Sequence, residues 1–406
     1  MIFSKLLLCL ASLHVITASN NVNSMAQTYA DDGEEFVQPR LVSKDDPSYA
    51  QGYFLKDAAE GPDNAKCLDG SPALYYHRKG TGTGVNKWIL YQEGGGWCYT
   101  PENCVERSLQ YLGSTVNDPD SMSIDGDNYF SMNTTLNPLM YNWNAIYIRY
   151  CDGSSLSSDM TEPVVVDNST IHYRGRAILD AEIQSILVDR GMNLATDVVV
   201  SGCSAGGLAT YLHCDKWAAS IAAATGNAAK VVCMPISGFF VDYDYTSGDG
   251  YGTMMRYIYN FQNTSKAGLN EDCYNAHVAT NDTEKCIMAQ WSSQYIKTPT
   301  FPLQSQFDSW QHHVEARDPT DAVFNIYGQN MTRLIQSNLL NQKQHGVFLD
   351  SCASHCGNWA SVIDGSMAGD ALNLWYNKGS AGLDNLGFFF QNKTYPCPGC
   401  CNGSGD

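Results

Sequence analysis

The feature that most constrains this chain is ten residues long. Val198-Val199-Val200 reads as a β-branched strand, and Ser201-Gly202-Cys203-Ser204-Ala205-Gly206-Gly207 follows it, ahead of a helix-forming stretch. A Gly-x-Ser-x-Gly pattern between strand and helix requires a sharp, strained turn, and neighbours without bulk let the chain pass close by. Such a turn lifts the Ser204 hydroxyl above a sheet edge at a helix N-terminus. There the helix dipole and free N–H groups favour developing negative charge. On its own the pattern is a common accident, and its plain alternative is a structural glycine turn. In strand–turn–helix context it marks Ser204 as a candidate nucleophile.

The flanking sequence supplies a matching scaffold. Lys87-Trp88-Ile89-Leu90-Tyr91, Ala145-Ile146-Tyr147-Ile148, Asp197 to Val200, Val231-Val232-Cys233-Met234 and Val347-Phe348-Leu349 read as short buried strands. Between them, Leu179, Ile183, Ile186 and Leu187 fall at helical spacing, Gly207 to Trp217 reads as a helix, and a later helix carries Val323, Tyr327, Leu334 and Ile335. Strands alternating with helices predict an α/β fold: a mostly parallel sheet flanked by helices on both faces.

A second glycine cluster, Glu93-Gly94-Gly95-Gly96-Trp97-Cys98, follows the strand at Trp88 to Tyr91. Glycines there let backbone N–H groups approach an oxyanion unobstructed, so Gly95, Gly96 and, from the turn, Ala205 are the expected donors. A phosphate-binding loop is the rival reading, but neither a Gly-x-x-x-x-Gly-Lys-Ser/Thr run nor a dinucleotide fingerprint is present.

The N-terminus reads as an address. Lys5, the apolar run Leu6 to Leu10 and the small-residue end Ile16-Thr17-Ala18 form a signal peptide over 1–18, too short in its apolar part to be a membrane span. Residues 19–38 read as a polar, mobile leader, and 39–406 as a single catalytic domain. Cleavage would remove Cys9, leaving fourteen of the 15 cysteines. An even number in an exported chain favours disulfides over zinc, including at Cys352/Cys356 and Cys397/Cys400/Cys401. Seven Asn-x-Ser/Thr sites (Asn133, Asn168, Asn263, Asn281, Asn330, Asn392 and Asn402) agree with N-linked glycans on surface loops of a secreted, extracellular or cell-wall protein. A net charge of −18 argues against nucleic-acid and anionic-membrane partners. The chain is expected to act as a monomer.

Four segments together resemble the pectin acetylesterase family, which also contains animal lipid deacylases of the Notum type. They are Tyr91 to Cys98, Ser201 to Gly207 with His213-Cys214-Asp215, Phe307-Asp308-Ser309-Trp310-Gln311, and Ser351-Cys352-Ala353-Ser354-His355-Cys356. The Gly-Cys-Ser and Ser-His-Cys wording is closer to the plant members, although Gln92 stands where those more often carry Leu. The resemblance spans about residues 51–401. It implies an α/β-hydrolase-like fold and a serine esterase that removes acetyl groups from pectin-like polysaccharide with no metal or organic cofactor. It also implies roles: Ser204 as nucleophile, His355 as general base, Asp308 as the group that orients the histidine.

The residues support those roles separately. Ser204, Asp308, His355 is the chain order α/β-hydrolases use, and His355 follows an apolar strand, where a loop would reach the site. Eight other histidines have no such setting, and Asp318, Asp321 and Asp350 are the rival carboxylates. Cys203 is expected to be structural, bridged across the following helix with Cys214 as the candidate. Cys352 and Cys356 could pin the His355 loop if both are bridged. Trp97, Tyr99 and Trp310 are equally a sugar platform or core residues, and Phe239 to Tyr251 could form a substrate wall. Two other functions remain in view: removal of a fatty acyl group from a protein, and carbohydrate binding without turnover.

Overall fold

A computed structural model of the chain describes residues 40–126, 128–242, 250–315, 317, 319–378 and 387–400. The expected signal peptide and leader, Asp318, Cys401, Asn402 and part of the 239–251 stretch lie outside the described residues. The main sheet is built from β1 (Tyr49–Phe54), β2 (Leu74–Arg78), β3 (Lys87–Gln92), β4 (Ser121–Ser123), β5 (Asn144–Ile148), β6 (Asp197–Cys203), β7 (Lys230–Ile236), β8 (Leu303–Ser305), β9 (Val347–Asp350) and β10 (Phe388–Phe390). Its strand order is β10-β9-β8-β7-β6-β3-β5-β2-β1-β4. From β10 through β5 every pair is parallel, whereas β2, β1 and β4 add an antiparallel edge.

The expected strands all form, most extending one to three residues beyond the sequence reading. In β6, Val198, Val199 and Val200 are all fully buried. A strand covered on both faces needs no polar alternation, which is why it reads as an unbroken apolar run. Helices α1 (Pro101–Ser108), α2 (Gly175–Asp189), α3 (Ala205–Thr225), α4 (Tyr251–Phe261), α5 (Asp321–Asn338) and α6 (Ala368–Lys378) accompany the sheet. The first ten residues of α3 are all buried, and α6 packs Leu372, Trp375 and Tyr376 into the core that also takes Val199, Val232, Phe301 and Phe348. In α5 the expected stripe is displaced: Tyr327, Leu334 and Ile335 are buried, whereas Val323 is exposed and Phe324 takes its place inward. Among the described residues no helix is long and apolar enough to cross a membrane.

Parallel register fixes where chemistry can occur. Gln92 lies beside Gly202, Cys203 beside Ile236, Leu303 beside Ile236, and Ser305 beside Asp350. The carboxyl ends of β3, β6, β7, β8 and β9 therefore share one edge, the edge where open α/β sheets gather their ligand-binding loops. A buried ion pair anchors the first of these loops. Arg149, just after β5, is 1% exposed and pairs with Glu93 and, at 3.2 Å, with Asp118, while its guanidinium lies 3.4 Å from the Tyr111 ring centroid. The Tyr111 and Tyr147 hydroxyls and the Tyr150 N–H also donate to Glu93. Burial works against the Arg149 charge, and the Glu93 and Asp118 carboxylates outweigh it, raising the pKa above the ordinary arginine value. Arg149→Ala leaves Glu93 buried without its counter-charge and is expected to cost about 3–5 kcal/mol in urea unfolding, with a loss below about 1 kcal/mol contradicting this account.

Candidate active site

Ser204 occupies the bend between β6 and α3 with φ 58° and ψ −124°. A non-glycine residue in that region costs about 1–3 kcal/mol, so the surroundings must impose it. They do so directly: the Ser204 N–H donates to Ile236 O at 3.1 Å, and its carbonyl accepts the Leu208 N–H at 2.9 Å. Two residues on, a Cβ at Gly206 would lie 2.0 Å from Gln92 O, so only glycine lets α3 start against the end of β3. Gln92, the departure from the plant-like pattern, is accommodated here by donating from Nε2 to Thr210 Oγ1 at 3.0 Å.

Asp308 follows β8 and is fully buried. Its two carboxylate oxygens lie 3.0 and 2.8 Å from His355 Nδ1, and Oδ1 also accepts the Gln311 N–H at 3.0 Å. Cys356 is bridged to Cys203 across 153 residues, with Cα atoms 5.8 Å apart. The residue after His355 is thus tied to the residue before Ser204, which holds the Cα atoms of Ser204 and His355 within about 13 Å of each other. The Cys356 N–H donates to Ser237 Oγ at 3.0 Å, seating the same loop on the end of β7.

This pairing corrects the expected Cys203–Cys214 bridge, since Cys214 joins Cys233. The reason is distance along α3: ten residues at 1.5 Å rise put Cys214 about 15 Å from the start of the helix, beyond the roughly 7 Å Cα limit of a disulfide. Cys352 is also disulfide-bonded, so both cysteines flanking His355 are bridged. Cys397 pairs with Cys400. A cluster of metal-ligand types at Cys273, His277 and Cys286 is closed in the same way, because Cys273 and Cys286 bridge each other and offer no thiolate.

The other histidines fall into different settings. His77, His213 and His345 are buried, and burial pushes each imidazole down to about 4, which keeps them neutral. His277, at the end of a short helix, bonds Asp282 five residues further along the chain. Of the rival aspartates, Asp350 accepts the Cys352 N–H at 3.1 Å and Asp321 is exposed at the start of α5.

Facing the bend, the glycine loop is held by its carbonyls. Arg107 Nη2 donates to Gly95 O at 2.7 Å and the Tyr150 hydroxyl donates to Gly96 O at 2.8 Å. In a trans peptide the N–H points opposite to the C=O, so these two bonds aim the N–H groups of Gly96 and Trp97 away from their anchors. Among the described residues no acceptor takes the N–H of Gly95, Gly96, Trp97 or Ala205. Gly95, at φ 122°, has a backbone that L-residues rarely adopt, and a Cβ there would meet Leu112 at 2.6 Å. The Cys98–Cys104 bridge closes the far end of the loop.

Ser155, which the sequence reading did not single out, joins the two halves. Its hydroxyl accepts Trp97 Nε1 at 2.7 Å and donates to Ala205 O at 2.7 Å. Its N–H donates to the Tyr150 hydroxyl at 3.1 Å, and its carbonyl accepts from neutral His213 Nε2 at 2.9 Å. A buried side chain with every polar group engaged rigidifies what it touches. Its only sequence signal is the Asp152-Gly153-Ser154 turn after β5.

Trp97, Phe240, Tyr251 and Trp310 pack ring against ring with centroids 5.2–6.0 Å apart, and the Phe240 and Trp310 centroids lie 6.3 and 6.1 Å from that of His355. Trp97, Tyr99 and Trp310 are 6, 5 and 9% exposed, so they act as packed walls and not as an open platform. Ser204 itself is 2% exposed, which leaves a narrow approach. Replacing Cys203 and Cys356 together by alanine is expected to lower stability by about 2–5 kcal/mol in chemical unfolding. An unchanged midpoint would show that the bridge does not constrain the chain.

Comparison with known proteins bears on the family and the fold. The pectinacetylesterase family model matches residues 43–402. Pectin acetylesterase 5 of Arabidopsis thaliana is 31% identical, over 84% of this chain and 81% of its own length. The palmitoleoyl-protein carboxylesterase NOTUM of Schmidtea mediterranea is 24% identical, over 92% of this chain and 72% of its own. The structure of the Wnt deacylase Notum from Drosophila superposes with a TM-score of 0.73 at 21% identity, covering 88% of this chain and 99% of that one, a likeness of fold. These relatives are by name an acetylesterase, a carboxylesterase and a deacylase, and the chain belongs to the pectinacetylesterase family.

Proposed function

We propose that the chain is a secreted serine esterase that removes acetyl groups from pectin-like polysaccharide. The observation that carries this reading is the Asp308–His355 hydrogen-bonded pair, fastened by the Cys203–Cys356 bridge beside the strained Ser204. Ser204 Oγ attacks the ester carbonyl while His355 Nε2 takes its proton. Asp308, on Nδ1, fixes the tautomer and stabilises the imidazolium. The tetrahedral oxyanion is met by N–H groups of Gly96, Trp97 and Ala205. The peptide planes fixed by Arg107 and Tyr150 favour Trp97 over Gly95, whose part is the left-handed turn. His355 then protonates the leaving sugar hydroxyl, and water activated by His355 releases acetate from Ser204.

The acetyl preference is supported by the rings of Trp97, Phe240, Tyr251 and Trp310, which fill the flank of the site with packed aromatic surface. A fatty acyl chain needs a deep apolar pocket in that place. Secretion is supported by the six bridges that join Cys67–Cys151, Cys98–Cys104, Cys203–Cys356, Cys214–Cys233, Cys273–Cys286 and Cys397–Cys400. Asn133, Asn168, Asn263, Asn281 and Asn392 are all exposed, as glycan attachment requires.

Chromogenic acetate hydrolysis should fall by several orders of magnitude in Ser204→Ala, and a loss below about tenfold would contradict the assignment. Octanoate esters should turn over more slowly than acetate, and the reverse order would move the reading to fatty-acyl removal. Ser155→Gly tolerates the backbone angle but deletes the hydroxyl that joins Trp97 to Ala205. It is expected to lower kcat by about tenfold or more with KM little changed, since an oxyanion donor acts mainly in the transition state. A rise in KM alone would assign Ser155 to substrate binding.

A further inference from the structure

Glu315 ends a one-turn π-helix, Gln311–Glu315, that begins three residues after Asp308. Its side chain is fully buried. Oε2 is hydrogen-bonded to the Tyr327 hydroxyl, and Oε1 has no hydrogen-bond partner among the described residues. On its other side the Tyr327 hydroxyl lies 2.5 Å from Gln311 Oε1. That oxygen also accepts the Val241 N–H, while Gln311 Nε2 donates to Phe239 O, each at 3.3 Å, so the amide orientation is set. The Gln311 N–H in turn donates to Asp308 Oδ1.

The protons in this chain can be counted. Tyr327 has one hydroxyl proton and faces two oxygens, the Gln311 carbonyl and a Glu315 carboxyl oxygen, neither of which brings a proton if Glu315 is ionised. One short oxygen–oxygen contact would then be repulsive. With Glu315 protonated, it donates to Tyr327, Tyr327 donates to Gln311, and every contact is satisfied. The net effect of the surroundings has the same direction. Burial pushes the Glu315 carboxyl well above the usual range; the Tyr327 hydrogen bond opposes that, Asp308 and Asp242 raise it further, and His355 lowers it. Asp242 is itself paired with Arg256 at 2.6 Å and Trp291 Nε1 at 2.8 Å.

We propose that Glu315 is a positioning residue that works as a neutral carboxylic acid, holding the Tyr327–Gln311–Asp308 chain that orients His355, and that its ionisation sets the alkaline limit of turnover. The inference rests on the esterase reading above. Its sign follows from the raised pKa: the active, protonated form persists below the folded pKa and is lost as pH rises through it. An ionised Glu315 would draw the Tyr327 proton away from Gln311 and add a second negative charge beside Asp308.

The test is the pH profile of kcat and KM for acetate ester hydrolysis by the full chain, Glu315→Gln and Tyr327→Phe, with Ser204→Ala as the blank. Glu315→Gln should keep kcat within about threefold at neutral pH and lose the alkaline fall of the parent. Tyr327→Phe should lower kcat by about tenfold with KM little changed. An alkaline limb shared by parent and Glu315→Gln, or none in the parent, overturns the proposal. So does a loss beyond about tenfold in a Glu315→Gln protein that melts like the parent, because the charge would then be needed. Infrared spectroscopy keeps the test independent of turnover and of how well Glu315→Gln folds. A protonated-carboxyl band at neutral pH should shift in Tyr327→Phe, a residue that contacts Glu315 but neither Asp152 nor Glu182, fully buried acids whose carboxyls burial also pushes up. No shift overturns the proposal, whereas the shifted band without Ser204-dependent turnover upholds the neutral acid and sinks the esterase reading instead.

Discussion

The Cys203–Cys356 bridge is the constraint on which the geometry of the site depends, because it removes freedom at the two points where the chain has least of its own. Ser204 sits at a backbone angle that costs free energy, and His355 sits on a loop with little regular structure around it. A covalent link one residue before the first and one residue after the second converts two separate uncertainties into one fixed relation. The link is seated on the end of β7 through Ser237 and Ile236, so the sheet itself sets the position of both partners. Shared register along the carboxyl edge then brings Asp308 into reach of His355 without further adjustment.

Local chemistry made the elbow legible. Three β-branched residues, two glycines and a small-residue helix start constrain one another within ten positions, so Ser204, the strand before it and α3 could be read from sequence. The strands at Lys87 and Asn144 were legible for the same reason, being apolar runs between turns. The bridge partner of Cys203 was not, because pairing is decided by tertiary distance and α3 carries Cys214 out of range. The displaced stripe of α5, with Phe324 inward and Val323 outward, likewise depends on what the helix meets and not on its own periodicity.

Buried polar segments were the least visible. Residues 152–158 are largely serine, a polar composition common in surface loops, yet every one is buried. Most of their polar groups satisfy one another: Asp152 Oδ2 accepts the Ser154 and Leu156 N–H groups, Ser154 Oγ accepts from Ser158, and Ser157 donates to Ser154 O, while Asp152 Oδ1 has no partner among the described residues. Ser155 emerges from that knot as the tie between Trp97 and Ala205. Arg149 with Glu93, and Tyr327 with Gln311 and Glu315, extend the same logic around the site. Unpaired polar groups at these depths would cost several kcal/mol, and pairing them fixes the groups that face the substrate.

The central claim is that Ser204 is the nucleophile and His355 its base. Peptide mass mapping after reaction with an aryl phosphonate ester tests it most directly. A single phosphonyl adduct on the Ser204 peptide is predicted, forming far more slowly in His355→Asn than in the parent chain. An adduct on another residue, or equal rates in the two proteins, would contradict the account.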